Sequence, residues 1–469
     1  MINRRNFLKT SLAAGASALI GTEAKANQSA SSITPDASRF SEAPIPPRKG
    51  KCVMDLRCKP LKTVRIGIVG LGRGYGALYS FSKIEGAEIV ALCDLMPERI
   101  ENARKTLKEA GRKDPVLYTG EEDWKKMCER DDIDLIYNAT PWELHVPIAL
   151  YAMDHGKHVA IEVPMALTIK DCWALVDKAE ETQLHCMMLE NCCYDFFEMA
   201  TLNMARQGVF GDVYYGEGAY LHDLRAEKFN GYYKHWRLEF SKYHTGNPYP
   251  THGLGPLAQI MGINRGDRMT YLSSVSTNQR GLHNWAKNNL KDDERITQSE
   301  RYKMGDMNTT IIQTANGNNL VIKHDTTSPR PYSRVHLLQG TKGMAVKWPS
   351  EKIALLPESH EFLKPEDQQK LLEKYEHPLS KYIGETAKKV GGHGGMDFIM
   401  QWRLIYCLQN GYPLDQSIYD GAAWSSLVEL SEYSVLNHSQ SVAIPDFTRG
   451  AWREYEPMPI IDMKNTFHV

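Results

Sequence analysis

The stretch Val64-Arg-Ile-Gly-Ile-Val-Gly-Leu-Gly-Arg-Gly-Tyr-Gly76 decides the fold. An apolar run ends in glycines and leads into a segment with helical spacing. About 20 residues further on, Glu88-Ile-Val-Ala-Leu-Cys-Asp94 is a second apolar run ending in a carboxylate. A strand, a tight turn, a helix N-terminus facing a pyrophosphate and an acid for the adenosine ribose hydroxyls form the layout that holds a dinucleotide.

The glycines depart from a strict G-x-G-x-x-G spacing. Position 75 is Tyr75, and the chain offers Gly70, Gly72, Gly74 and Gly76 instead. Gly70 and Gly72 serve the turn and the close backbone approach, and the third glycine is displaced by one residue. Asp94 selects NAD, because a carboxylate there repels the 2′-phosphate of NADP.

Working outward, the pattern alternates strands with helices. Candidate strands are 64–69, 88–93, 134–138, 158–162 and 185–189. Candidate helices are 74–84, 97–110, 143–155, 168–182 and 195–207. This alternation predicts an α/β fold with a doubly wound parallel sheet. After about residue 210 the texture changes. Segments 213–220, 269–275, 307–313 and 319–323 read as strands without long intervening helices, so a largely antiparallel open sheet is expected in a C-terminal α+β domain. Residues 281–305 read as a polar loop insertion, and helical patterns return at 364–376, 396–409 and 416–434. The domains are therefore read as 62–190 for the dinucleotide and 191–469 for the substrate.

The N-terminus carries an export signature. Asn3-Arg-Arg-Asn-Phe-Leu-Lys9 holds twin arginines, Leu12–Ile20 is a short apolar stretch, and Ala24-Lys-Ala26 fits a cleavage site. Residues 1–26 are thus expected to be a twin-arginine signal, with the twin-arginine translocase as partner and the periplasm as destination. That route carries folded proteins, which suits an enzyme loaded with its cofactor before export. Residues 27–61, rich in Ser, Ala and Pro, read as a linker or arm.

Composition narrows the partners. The 469-residue chain has a net charge of -1, so no global field favours nucleic acid or an anionic membrane. Its 23 tyrosines and 9 tryptophans suit flat, hydroxyl-bearing ligands such as sugars. Nine cysteines, an odd number scattered through apolar runs, argue against a disulfide framework, and no zinc-type spacing appears.

Chemistry-bearing residues gather at the strand ends. One strand closes in Tyr137-Asn-Ala-Thr-Pro141, followed by Trp142-Glu-Leu-His145; the next ends in Glu162-Val-Pro164. Strand C-termini face the ligand crevice in such a sheet. Met188-Leu-Glu-Asn-Cys-Cys-Tyr194 adds the Asn191 amide and the Tyr194 phenol. The second domain contributes Tyr220, His235-Trp-Arg237, Tyr249-Pro-Thr-His-Gly-Leu-Gly-Pro256 and Ser328-Pro-Arg-Pro-Tyr332. The turn-rich composition of 249–256 places Tyr249 and His252 on an exposed, stiffened loop.

These stretches resemble the glucose–fructose oxidoreductase and inositol dehydrogenase superfamily over about residues 62 to 450. Within it, the chain is most similar to the NAD-dependent α-N-acetylgalactosaminidases of glycoside hydrolase family 109. The resemblance implies an N-terminal Rossmann domain and cofactor contacts from Gly70, Gly72, Arg73, Gly74, Asp94, Trp142, His145, Glu162, Val163 and Asn191. It implies substrate contacts from Tyr220, Arg237, Tyr249, Pro250, Thr251, His252 and Tyr332. Related dehydrogenases carry Glu-Lys-Pro where this chain has Glu162-Val163-Pro164, and valine moves no proton. The implied reaction is hydrolysis of terminal α-N-acetylgalactosamine in glycans by oxidation at C3, elimination across C2 and C1, water addition and reduction, with no net redox. Tyr194 is then expected to take the C2 proton, and His252 to exchange protons at the C3 hydroxyl or leaving group. Nothing in the sequence requires a metal. A periplasmic NAD(P)-dependent sugar oxidoreductase and a non-catalytic sugar-binding protein remain as alternatives, and the choice between monomer and homodimer stays open.

Overall fold

The computed structural model of this chain describes residues 43–290, 302–358 and 360–460. The expected signal peptide, the first part of the arm and residues 291–301 of the expected insertion lie outside the described residues.

Six strands form a parallel sheet: β1 (Val64–Val69), β2 (Ala87–Cys93), β3 (Val116–Tyr118), β4 (Leu135–Asn138), β5 (His158–Ile161) and β6 (Cys186–Met188). Their order is β3-β2-β1-β4-β5-β6. The strand order reverses between β1 and β4, and ligands of such sheets bind in the crevice at the C-terminal ends beside that point. Helices cover both faces, which is why β4 is buried at every position and β1 at all but Arg65. Arg65 escapes as an ion pair with Asp134 at 2.6 Å. The three-residue strand β3 and the helix Asp123–Cys128 that follows it were too short to show a period in the sequence.

The second sheet has eight strands. It comprises β7 (Val213–Leu221), β8 (Met269–Ser276), β9 (Asn308–Thr314), β10 (Asn319–Asp325), β11 (Leu337–Gly340), β12 (Gly343–Val346), β13 (Lys352–Leu355) and β14 (Val442–Ala443). The order is β13-β12-β11-β7-β10-β9-β8-β14. Every pairing is antiparallel except β7 with β10, so the sheet is largely antiparallel as expected.

Three expectations are corrected here. Residues 281–289, read as loop, form the helix Gly281–Asn289, anchored by buried Leu282 and Ala286 one turn apart. The stretch 416–434 is two helices, Ile418–Ser425 and Leu427–Leu436, the first opened by a capping box between Ser417 and Asp420. Residues 249–256, expected as an exposed, stiffened loop, mostly belong instead to the helix Thr251–Ile260, whose side is packed on β7.

The arm is no free linker where it is described. Val53 and Met54 are buried in the core, and Leu61 N–H donates to the Leu408 carbonyl. Arg48 pairs with the fully buried Glu180 and donates to the Thr448 carbonyl at 2.7 Å. All nine cysteines are free thiols.

Candidate active site

The first βα turn is built for close approach. Gly70 has φ +88°, and a Cβ there would lie 2.6 Å from the Ala139 carbonyl oxygen. Gly74 is the glycine that lets the following helix pack on the sheet: a Cβ there would meet Ile68 at 3.2 Å and Ala139 at 3.3 Å. Gly76 faces open space, so the displaced third glycine is Gly74. Buried Asp94 ties this turn together, accepting from Leu71 N–H at 2.6 Å and Met96 N–H at 2.8 Å. Each carboxylate oxygen has a second lone pair left for a hydroxyl. An uncovered glycine turn with a buried acid at the end of β2 fits a dinucleotide with a free 2′-hydroxyl.

Past β4 and β5 the crevice is lined by polar groups. Trp142 Nε1 donates to the Val163 carbonyl at 3.2 Å. His145 is buried with Nδ1 2.9 Å from the Pro164 carbonyl and Nε2 2.9 Å from the Thr140 carbonyl. Burial pushes its pKa down to about 4, so the ring is neutral and can donate to only one of the two. Arg73 lies 3.5 Å from Glu162 and 3.0 Å from Asp397. Asn191 donates to the other Asp397 oxygen at 2.5 Å. Asp397, 324 positions from Arg73 in the chain, had no signal in the sequence.

The substrate-side residues meet in one aromatic cluster. Tyr220 on β7 has its ring centroid 4.8 Å from Tyr249, 5.3 Å from His252 and 6.1 Å from Tyr332. The Arg237 guanidinium carbon lies 4.9 Å from the Tyr249 ring and 5.1 Å from the Trp142 ring. Trp236, beside Arg237 in the stretch already noted, and Tyr232, which had no signal in the sequence, complete this cage at 4.9 and 4.8 Å. Pro250 leads into the helix Thr251–Ile260, whose first residue Thr251 is fully buried. That helix lies directly on β7 because both contact surfaces lack side chains. A Cβ on Gly253 would sit 2.2 Å from the Ala219 nitrogen, and one on Gly218 would sit 2.0 Å from the Gly253 carbonyl oxygen. Tertiary contact thus outweighs the poor helix propensity of two glycines and Pro256.

The helix aims His252 at a partner the sequence did not reveal. His252 Nδ1 lies 2.8 and 3.0 Å from the two carboxylate oxygens of Glu190, whose side chain is fully buried. Glu190 also accepts from Cys192 N–H at 3.0 Å. Burial alone would push this carboxyl up, but the charge and hydrogen bond of His252 outweigh it and hold it below the usual range. An ionised Glu190 fixes the proton of His252 on Nδ1 and leaves Nε2 as the basic nitrogen. The clue was available: Glu190 stands at the end of β6, where groups reach the crevice.

The Tyr194 phenol is engaged with partners of its own. Its ring is buried, and its hydroxyl donates to Asp415 at 3.2 Å, a carboxylate held by Arg403 at 3.1 Å. Burial, with Asp415 adding to it, raises its pKa well above that of an ordinary phenol. None of its hydrogen-bond or ring contacts is with Tyr220, Tyr249, His252 or Tyr332 among the described residues.

The two clusters adjoin. Burial, with the Asp397 charge adding to it, outweighs Arg73 and His252 and raises the Glu162 carboxyl, and the Trp142 ring centroid lies 6.2 Å from that of Tyr249. The Tyr220 phenol is pushed up to about 12 by burial, opposed by the positive charges of Arg237 and Arg73. Glu162 and Asp397 are occupied by Arg73, and Glu190 by His252. Among the described residues these carboxylates are therefore engaged with Arg73 and the His252 ring rather than set as a free acid–nucleophile pair.

Most of this chain is similar to known proteins. Residues 194–454 match the family model described as glycosyl hydrolase 109, C-terminal domain. Residues 64–190 match the oxidoreductase family NAD-binding Rossmann fold, and residues 1–21 match a twin-arginine translocation pathway signal sequence. An alpha-N-acetylgalactosaminidase of Bacteroides fragilis is 51% identical over 408 residues, covering 86% of this chain and 96% of that protein. A glycosyl hydrolase family 109 protein of Porphyromonas gingivalis is 48% identical, covering 88% of this chain and 90% of its own. Among solved structures, levoglucosan dehydrogenase in complex with NADH superposes with a TM-score of 0.63 at 19% identity, over 82% of this chain and all of that one. Aldose-aldose oxidoreductase from Caulobacter crescentus gives 0.58 at 16% identity, over 81% of this chain and all of that one. At these identities the structures show the shared fold.

Proposed function

This chain belongs to glycosyl hydrolase family 109, an NAD-binding family of glycoside hydrolases, and from that premise we propose that it releases terminal α-N-acetylgalactosamine from glycans in a redox-neutral cycle. The observation that carries the reading is the His252–Glu190 dyad inside a tyrosine cage that adjoins the dinucleotide crevice. It supplies a positioned base where, among the described residues, no free pair of carboxylates is set for ordinary glycoside hydrolysis.

Gly70, Gly72, Arg73, Gly74 and Asp94 would hold the adenosine and pyrophosphate side of NAD. Trp142, His145, Glu162, Val163 and Asn191 would line its other end. When bound, NAD supplies reversible oxidation at sugar C3, which acidifies the neighbouring C2 hydrogen. His252 Nε2 takes that C2 proton, in place of Tyr194, while Glu190 steadies the imidazolium that forms. Tyr220, Tyr249 and Tyr332, kept as neutral phenols by burial, donate to and accept from the sugar hydroxyls. Arg237 binds the acetamido oxygen: its buried Nε has no hydrogen-bond partner among the described residues, so a polar ligand group would satisfy it. Val163 leaves no lysine at the fifth strand end to drive net oxidation.

The twin-arginine signal supports export as a folded, loaded enzyme, with the periplasm as the usual destination. The test is incubation of purified protein with p-nitrophenyl α-N-acetylgalactosaminide without added reductant. Release of p-nitrophenol with no net NADH supports the proposal. Formation of a keto sugar with stoichiometric NADH would support the sugar oxidoreductase instead.

A further inference from the structure

The helices Pro378–Val390 and Met396–Asn410 are joined by Gly391-Gly-His-Gly-Gly395. All five residues have positive φ: 91°, 81°, 45°, 76° and 110°. Four are glycines, for which this backbone is unstrained. The fifth is His393, and a side chain held in that region persists where its surroundings enforce it.

Its ring has a defined partner. His393 Nδ1 is 2.8 Å from Asp397 Oδ2 and 3.4 Å from Arg73 Nη2. Asp397 Oδ2 in turn accepts from Arg73 at 3.0 Å, and Oδ1 accepts from Asn191. Arg73 is the last residue before the helix Gly74–Phe81, so it ends the glycine turn that faces the dinucleotide. The loop therefore reaches 320 positions back along the chain to grip that turn. His393 is the solvent-facing member, with a side chain 53% exposed against 10% for Asp397.

We propose that His393 is a positioning residue for NAD: by donating to Asp397 it closes the Asp397–Arg73–Glu162 chain over the turn and slows cofactor release. The inference rests on the NAD reading of the site. It also matches the export route, since a protein translocated with its cofactor must keep it where free NAD is scarce.

The experiment measures cofactor retention. Purified protein loaded with NAD is washed repeatedly by ultrafiltration, and the NAD left on it is released by denaturation and quantified over time. His393→Gly removes the ring and suits the backbone. His393→Asn restores a donor near the Nδ1 position and tolerates positive φ. The glycine variant should lose NAD about tenfold faster or more, the factor expected for one charge-assisted hydrogen bond. The asparagine variant should hold NAD within about threefold of the parent. Thermal unfolding in saturating NAD checks that both variants are folded. A glycine variant that is folded and holds NAD as long as the parent would overturn the proposal. Equal loss from the glycine and asparagine variants would also overturn it, because the hydrogen bond would then not be the cause. A parent that yields no NAD on denaturation would instead refute the cofactor reading itself.

Discussion

Replacing Glu190 by Gln probes the dyad with almost no change in volume. The amide oxygen can still accept from Cys192 N–H, so that bond survives. That same oxygen lies 2.8 Å from His252 Nδ1; the amide nitrogen takes the place of the oxygen 3.0 Å away, so the negative charge beside the ring is lost and that second contact sets donor against donor. If the amide nitrogen turns toward the ring, Nδ1 becomes the acceptor and the proton moves to Nε2, the nitrogen that must be free. The comparable loss of a buried carboxylate behind a catalytic histidine costs ~10⁴ in kcat, and removing a general base costs ~10²–10⁴. We expect kcat to fall by at least ~10²-fold. Stability should drop by no more than ~3 kcal/mol, since a buried charge-assisted bond is exchanged for a neutral one. The assay is steady-state release of p-nitrophenol, with NAD content and thermal unfolding measured on the same sample. His252→Gln should fail at the same step, and both variants given substrate should accumulate bound NADH, because oxidation at C3 precedes proton removal at C2. Glu190→Gln with activity within about threefold of the parent and normal NAD content would mean that the dyad does not carry proton removal.

Tyr194→Phe should keep activity within about threefold while losing about 1 kcal/mol of stability, the worth of its hydroxyl bond to Asp415; a large fall in kcat in a normally stable variant would return Tyr194 to the mechanism. Burial pushes six histidines down, His145, His158 and His377 to about 4 and His185, His324 and His336 to about 3. They stay neutral in the fold while the unfolded chain takes up protons below about pH 6.5, so their stability contribution is full above that pH and is lost as pH falls toward 4 and 3. Roughly 1 kcal/mol per group per pH unit follows, and thermal unfolding between pH 7.5 and about 5 should show a falling Tm, where a flat profile would contradict it. Replacing Arg4 and Arg5 together by Lys should stop export, with full-length protein retained inside the cell; normal export would mean another route reads the leader.

Much of the first sheet was legible because parallel strands buried on both faces read as plain apolar runs. The run Val64–Val69 and the glycines after it mark the turn without any tertiary knowledge. What stayed hidden was whatever depends on contacts distant in sequence. Glu190 stands 62 positions from His252, and Asp397 324 positions from Arg73, so neither pairing leaves a local pattern. The helix Thr251–Ile260 was hidden for a different reason: its glycines and proline signal a turn, yet they are there to let the helix touch β7. Tyr194 follows Asn191 by three residues in a short 3₁₀ turn that turns the amide toward Asp397 and the phenol toward Asp415, two distant partners that no local pattern announces. The helix Gly281–Asn289 had a weak signal, Leu282 and Ala286 one turn apart, outweighed by its polar neighbours.

In the proposed cycle a base in this site removes the sugar's C2 proton during an otherwise redox-neutral hydrolysis. Turnover of an α-N-acetylgalactosaminide in deuterated water, followed by NMR and mass analysis of the released sugar, tests it most directly. Deuterium should appear at C2, with the cofactor unchanged after many turnovers. Released sugar that carries only protium at C2 would contradict that cycle.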